Sequence, residues 1–438
     1  MNIVHIVPGS GGGFYCQNCV RDLGLVRALH AAGHDVLFVP MYLPSMELAG
    51  EAVSQAPVFY GAVNVYLAQK LPFYRRLPES WRRRLDAPGI LRWAASKAGT
   101  TQANGLGDLT LSVLEGRDGR QRRELEQMTE WLKTRPRPDV VHFSNALLLG
   151  LAPALREALG ARIVCTLQDE DRWLDELPPD YRDRCWARIA ELSRSVDCFL
   201  PVSETFAHQM RERLHLPASQ CRTLSVGVDA EAFSPPPSRP AIPTLGFLSE
   251  LSSAHGLDIL VEAFLLLRRR PGLESLRLRV TGGDIRVGTP YLARIHQRLA
   301  ASGHGEAVDF SDAYRGPARA DFLRSLSVMS VPARQPEAFG LFQIEAMACG
   351  VPVVQPAIGA YPEIVEATGG GILYDDNTPE GLAAALHPLL TDPERAMRLG
   401  LAGRQAVVEQ FNIKRVAESL MAIYRDLVEK GTLDHALD

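Results

Sequence analysis

Short apolar runs alternate with longer segments of helical period along most of the chain. In the first half the runs 2–7, 35–39, 139–143, 162–167 and 197–202 are rich in Val, Ile and Leu with little polar alternation. That is the pattern of strands buried on both faces. Between them, 16–32, 147–159 and 180–195 place apolar residues at helical spacing; in the first of these they are Val20, Leu23, Val26 and Leu29. Ser203 precedes a further amphipathic segment as its expected N-cap. Residues 221–226 read as a last strand of this half and 59–67 as a strand candidate. In the second half, strands are expected at 244–248, 276–281, 307–310, 327–331 and 351–355. Helices are expected at 257–270, 291–301, 318–325, 341–349 and 362–367, followed by 379–390, 393–410 and 413–429. Strand–helix alternation of this kind predicts parallel, doubly wound sheets.

At 438 residues the chain exceeds one typical domain, so two are expected. The boundary falls at Ser225-Val226-Gly227-Val228-Asp229 and the proline run Pro235-Pro236-Pro237, whose composition suits a semi-rigid connection. The expected division is an N-terminal domain 1–230, with an insertion at about 43–135, a second domain 231–410, and a final segment 411–438. A net charge of -4 gives no reason to expect nucleic acid as a partner. No apolar run is long enough to span a bilayer, and 1–7 reads as a strand, so a cytoplasmic protein is expected. The insertion carries a basic, aromatic stretch, 70–97, with Arg75, Arg76, Trp81, Arg82, Arg83, Arg84, Arg92 and Trp93. It fits a solvated cover over apolar neighbours better than a peripheral dock on an anionic membrane surface, and both readings stay open. Seven scattered cysteines fit reduced thiols rather than a disulfide scaffold. Cys16 and Cys19 open a helix, where a thiol role at an acceptor site competes with simple packing.

The chemistry concentrates between Pro336 and Gly350. Glu337 is placed in a loop, Gly340 opens a helix, and Glu345 lies inside it. A helix N-terminus offers unpaired N–H groups and a positive dipole end, which suits a phosphate. Carboxylates on either side can take hydroxyl hydrogen bonds from sugars. Together these are the parts needed to hold a nucleotide-sugar.

In its setting of Phe-Gly and Ala-Met-Ala-Cys-Gly-Val-Pro-Val-Val, this pair resembles the Glu-x7-Glu signature of family 4 glycosyltransferases. The resemblance implies an α/β protein of the GT-B fold, two Rossmann-like doubly wound domains facing each other across a cleft, with 411–438 crossing back to the first domain. It also implies retaining, metal-independent transfer of a sugar from a nucleoside diphosphate sugar, a UDP-sugar by expectation, to an acceptor the sequence does not identify. Glu337 would contact the transferred sugar and Glu345 the ribose. Amides around Phe339, Gly340 and Leu341 would face the diphosphate, and those of Gly359 and Ala360 would line the donor pocket. Gln168, at the end of strand 162–167, stands where family members often carry a histidine that touches the sugar. Gly11, Gly12 and Gly13 would face the diphosphate and the acceptor.

No separate cofactor is expected. Gly9-x-Gly11 is followed by Phe14 rather than glycine, and the second strand ends without an acidic residue, so a dinucleotide fingerprint is missing. Asp169-Glu170-Asp171 reads as an acidic loop cluster rather than a metal site. The family's diphosphate-binding Arg and Lys fall on Glu250, whose carboxylate would repel a diphosphate, and on His255, a residue type only partly charged at neutral pH. Arg286 and Arg315 are the candidate substitutes. The alternative expectation is a catalytically degenerate relative that binds a nucleotide-sugar or a partner without turnover. The sequence leaves the sugar, the nucleotide, the acceptor and the oligomeric state unassigned.

Overall fold

A computed structural model describes residues 1–9, 14–43, 53–60, 106–283 and 289–434. The expectations for Gly11, Gly12, Gly13, Arg286, the stretch 70–97 and nearly all of 59–67 lie outside these residues. The chain divides into two units: Met1–Gly13, Asn18–Ser225 and Val416–Asp438 form one, and Phe14–Gln17 with Val226–Arg415 form the other.

In the first unit, β1 (Asn2–Val7), β2 (Asp35–Pro40), β3 (Ser54–Gln55), β4 (Val140–Phe143), β5 (Arg162–Leu167) and β6 (Cys198–Pro201) make a parallel sheet in the order β3-β2-β1-β4-β5-β6. The order reverses direction between β1 and β4, and the carboxyl ends of strands at such a switch are where α/β folds bind ligands. The second unit repeats the plan with β7 (Thr244–Leu248), β8 (Arg277–Thr281), β9 (Val308–Phe310), β10 (Val328–Met329), β11 (Val353–Pro356) and β12 (Gly371–Tyr374), in the order β12-β11-β10-β7-β8-β9. Its switch lies between β7 and β10. Both sheets are doubly wound, as the sequence led one to expect.

Several expectations need correction. Residues 221–226 form no strand: Arg222 and Leu224 N–H donate to the carbonyls of Phe199 and Pro201, but only the isolated bridge Phe199–Cys221 results. The expected helix 147–159 is a 3-10 segment, Ala146–Leu151, followed by an α-helix, Ala152–Leu159. Pro153 can start the second piece but cannot continue the first. Glu170 is no solvated loop acid. It is 0% exposed, opens the helix Glu170–Asp175, and accepts from the N–H of Ala146 at 2.9 Å and of Gln168 at 2.7 Å. Burial pushes its pKa up to about 8. Two helices, Gly107–Leu114 and Arg122–Lys133, lie in the stretch left without elements. The second buries Leu125, Met128, Thr129 and Leu132, a helical stripe.

The first unit closes on a polar network. His5 and His142 face each other across β1 and β4, ring centroids 4.7 Å apart. His5 Nε2 lies 3.4 Å from Asp22 Oδ1, and Arg21 is paired with the same carboxylate. His142 Nδ1 is 2.6 Å from the Tyr424 hydroxyl and Nε2 is 2.8 Å from Thr166 Oγ1. Tyr424 belongs to the helix Ile413–Asp434. It is 0% exposed, as is Leu420, whereas Ile423 and Leu427 on the same helix are only half-buried.

Burial, with the charges of His5 and Arg21, holds the His142 pKa well below its ordinary value. The unfolded chain therefore takes up a proton as pH falls through about 6.5, and the folded chain does not. His142 is expected to lower stability as pH goes from 7.5 to 5.5, while the raised Glu170 pulls the other way. Over that range the urea midpoint of wild type should therefore lose more, or gain less, than that of His142→Gln. Tyr424→Phe, which removes one partner of a buried ring nitrogen, is expected to cost about 1–3 kcal/mol. Equal pH slopes in wild type and His142→Gln would contradict this account.

Candidate functional site

The helix Leu341–Ala348 determines the site in the second unit, because all eight of its residues are buried. A helix with no wet face must satisfy every polar side chain it carries from within the fold. Glu345 is 1% exposed and has two partners. Arg319 Nη2 lies 3.1 Å from Oε1, and the Tyr15 hydroxyl donates to Oε2 at 2.8 Å. Burial raises the pKa of Glu345, and the Arg319 charge and the Tyr15 hydrogen bond pull it back only in part. Tyr15, buried as well, has its own pKa driven up by burial and by the neighbouring Glu345 charge. The Arg319 guanidinium stands 5.5 Å from the Tyr15 ring centroid and 5.4 Å from that of Phe233.

The loop before this helix is shaped by two glycines. Gly340, the N-cap, has φ +98, and an added Cβ would lie 2.7 Å from Gln343 Nε2 and 2.8 Å from Tyr361 Cε1. Gly359 has φ +53, and a Cβ there would meet the Glu337 backbone nitrogen at 2.6 Å. Its neighbour Ala360 donates its N–H to the Glu337 carbonyl at 3.1 Å. The Gly359–Ala360 turn thus fixes the backbone of Glu337, a hold that only a residue without Cβ permits.

Glu337 is 4% exposed, and its Oε1 lies 3.3 Å from His255 Nε2. His255 ends the 3-10 turn Ser253–His255 beyond β7, with Nδ1 2.9 Å from Ser252 Oγ. The other Glu337 oxygen accepts from Gln17 Nε2 at 3.0 Å, while Gln17 Oε1 accepts the Leu341 N–H at 2.6 Å. One carboxamide therefore spans the loop carboxylate and the helix N-terminus. Tyr15 N–H also donates to Gly282 O at 2.8 Å, and Phe14 bridges Gly283.

The second unit thus gathers Glu337, Phe339, Gly340, Leu341, Glu345, His255, Gly359 and Ala360 around one loop and one helix. Glu250 is half-buried in the turn that carries His255, and its carbonyl accepts from Ser252 N–H at 2.8 Å. Arg315 donates to the Tyr314 hydroxyl at 2.7 Å and stacks on that ring. Gln168 belongs to the first unit, 4% exposed, its Nε2 donating to Ser144 O at 2.9 Å. Among the described residues no group of three His, Cys, Asp or Glu side chains is arranged to hold a metal ion, and no helix is long and apolar enough to cross a membrane.

The sequence reading passed over Tyr15, Gln17 and Arg319. Arg319 carried a local signal: with Phe322 and Leu323 it stands at i, i+3, i+4, an arginine on the apolar stripe of its helix. Tyr15 and Gln17 carried none, because their partners lie more than three hundred positions away.

Two family models match this chain, one described as "Glycosyltransferase Family 4" over residues 109–232 and the other as "Glycosyl transferases group 1" over residues 231–406. The D-inositol 3-phosphate glycosyltransferase of Kineococcus radiotolerans is 32% identical over 233 residues, 48% of this chain and 53% of that protein. The enzyme of the same name from Stackebrandtia nassauensis is 33% identical, over 47% of this chain and 48% of that one. The chain therefore spans about half the length of these curated relatives. Among solved structures, sucrose-phosphate synthase from Thermosynechococcus elongatus has a TM-score of 0.68 at 18% identity, covering 98% of this chain and 100% of that chain. Anabaena HepE, solved in complex with UDP and glucose, has a TM-score of 0.68 at 15% identity, covering 97% of this chain and 99% of that chain.

Arg319→Leu should leave the Glu345 carboxylate buried without its cation, at a cost of about 3–5 kcal/mol in urea unfolding. Arg319→Leu with Glu345→Gln should recover most of that loss, because the orphaned charge is gone. No recovery would mean that Arg319 acts through packing alone. Gly359→Ala should cost about 1–3 kcal/mol, as expected for an alanine forced to positive φ against backbone.

Proposed function

Because the chain belongs to glycosyltransferase family 4 and has the GT-B fold, we propose that it moves a sugar from a nucleoside diphosphate sugar, UDP being the expected nucleotide, to an acceptor hydroxyl. One observation carries this reading: a loop carboxylate, Glu337, and a helix carboxylate, Glu345, stand before and within a buried helix whose first N–H, on Leu341, meets the side-chain oxygen of Gln17. The family model over 231–406 contains all three residues. That a structural neighbour was solved with UDP and glucose supports a nucleotide-sugar donor, and the curated relatives' name, D-inositol 3-phosphate glycosyltransferase, supports sugar transfer.

On this reading Glu337 orients the transferred sugar, Glu345 takes the ribose hydroxyls, and the amides at 339–341 and 359–360 face the diphosphate. Transfer with retention needs no protein nucleophile. The bond from the anomeric carbon to the diphosphate oxygen breaks and the acceptor oxygen bonds on the same face. The acceptor's proton passes to the leaving diphosphate. The protein's share is then positioning and electrostatic stabilisation. The helix N-terminus and His255 would supply positive field where the family more often uses Arg and Lys.

UDP-, GDP- and ADP-sugars are to be compared by thermal shift and by mass-spectrometric assay of donor hydrolysis and transfer. A UDP-sugar is expected to raise the melting temperature and to be consumed, and Glu337→Ala should cut the rate by about 100-fold with little change in melting. Unchanged turnover in Glu337→Ala would remove it from the site. Stabilisation without hydrolysis or transfer to any acceptor mixture would mark a binding protein instead.

A further inference from the structure

The strap Phe14–Gln17 offers the second unit the same set of polar groups that a nucleotide-sugar would. An oxygen, Gln17 Oε1, takes the first amide of the Leu341–Ala348 helix at 2.6 Å. An N–H donor, Gln17 Nε2, reaches Glu337 at 3.0 Å, and an O–H donor, the Tyr15 phenol, reaches Glu345 at 2.8 Å. A phosphate oxygen on helix amides, one sugar hydroxyl on the loop carboxylate and a second on the helix carboxylate would need these same three partners. A buried carboxylate and a buried amide cannot be left empty-handed, so whatever holds them must be exchanged rather than simply removed.

We infer that Tyr15 and Gln17 are an internal stand-in for the donor: the strap satisfies the carboxylates and the helix amide until a nucleoside diphosphate sugar takes them over. The inference rests on the donor site proposed above. It makes Gln17 and Tyr15 determinants of donor affinity that act by competition. A second consequence is that the site's charges stay hydrogen-bonded throughout the exchange. Cys16 lies between the two residues and is half-buried, so its reactivity reports whether the strap is seated.

The test uses the full chain, with UDP as probe and GDP and ADP beside it. Binding is measured by calorimetry for wild type, Gln17→Ala and Tyr15→Phe. Iodoacetamide labelling of Cys16 is followed by tandem mass spectrometry, which separates it from Cys19. UDP is expected to speed Cys16 labelling in wild type. Gln17→Ala is expected to bind UDP about fivefold more tightly, the worth of about one net hydrogen bond of competition. Without nucleotide, both variants should label faster at Cys16 than wild type. Weaker UDP binding in Gln17→Ala, or slower Cys16 labelling with UDP, would overturn the inference and make Gln17 a direct donor contact. Unchanged labelling of the nucleotide-free variants would overturn it too. Binding of no nucleotide by wild type and variants alike would instead strike the donor reading itself, a different result from either of these.

Discussion

A carboxylate taken out of water must find its counter-charge inside the fold, and Glu345 finds it in Arg319 and Tyr15. Much of the second unit's site follows from that requirement. The helix carrying Glu345 has no exposed face, so the residue cannot turn outward. Arg319 must come from the helix Gly316–Arg324, whose apolar stripe it interrupts, and Tyr15 must come from a segment distant in sequence. That a carboxylate is retained in so dry a position, where an apolar residue would be cheaper, is the physical argument for a polar ligand. Its pKa remains above the ordinary value even with both partners in place, so the pairing offsets only part of the cost of burial.

The second constraint is steric. Glu337 is placed by backbone rather than by its own side chain: Gly359 admits the Glu337 nitrogen where a Cβ would stand, and Ala360 holds its carbonyl. Gly340 then turns the chain at positive φ into the helix, whose first N–H, on Leu341, goes to the Gln17 side-chain oxygen. A loop acid, a left-handed turn and a buried helix acid follow one another within nine residues, and the Gly359–Ala360 turn packs against the first of them. The function proposed above, orientation and electrostatic stabilisation, would need this kind of pre-organisation.

What the sequence made legible divides along the same line. Buried parallel strands such as 162–167 and 244–248 came through because each is a local run of apolar residues, and the Glu-Phe-Gly-Glu spacing because it is local too. The Gly371–Tyr374 strand was missed because four residues after two glycines carry little period, and the stretch 221–226 was misplaced because its ladder is only half formed. The helix Arg122–Lys133 had a readable stripe that was overlooked among many charges. Tyr424 is a different case: Val416 and Leu420 have the right spacing, but which neighbour turns furthest inward depends on His142, nearly three hundred residues earlier. Partners that distant leave no pattern at either end.

The two units share a sheet plan and use its switch point differently. At the strand ends of the first, the polar groups answer one another: Asp22 is matched to Arg21 and His5, Glu170 serves two backbone amides, and the Gln168 amide serves Ser144 O. Burial raises Glu170 to about 8 and holds His142 well below its ordinary value, so in both the charged form is disfavoured. In the second unit the corresponding groups are carboxylates, one before a helix and one within it, and Tyr15 and Gln17 share with Arg319 and His255 the work of partnering them. A fold that needed only stability would have had no reason to treat its two switch points so unequally. The first unit's polar groups find their partners within its own strand ends and helices, whereas the second draws Tyr15 and Gln17 from more than three hundred positions away.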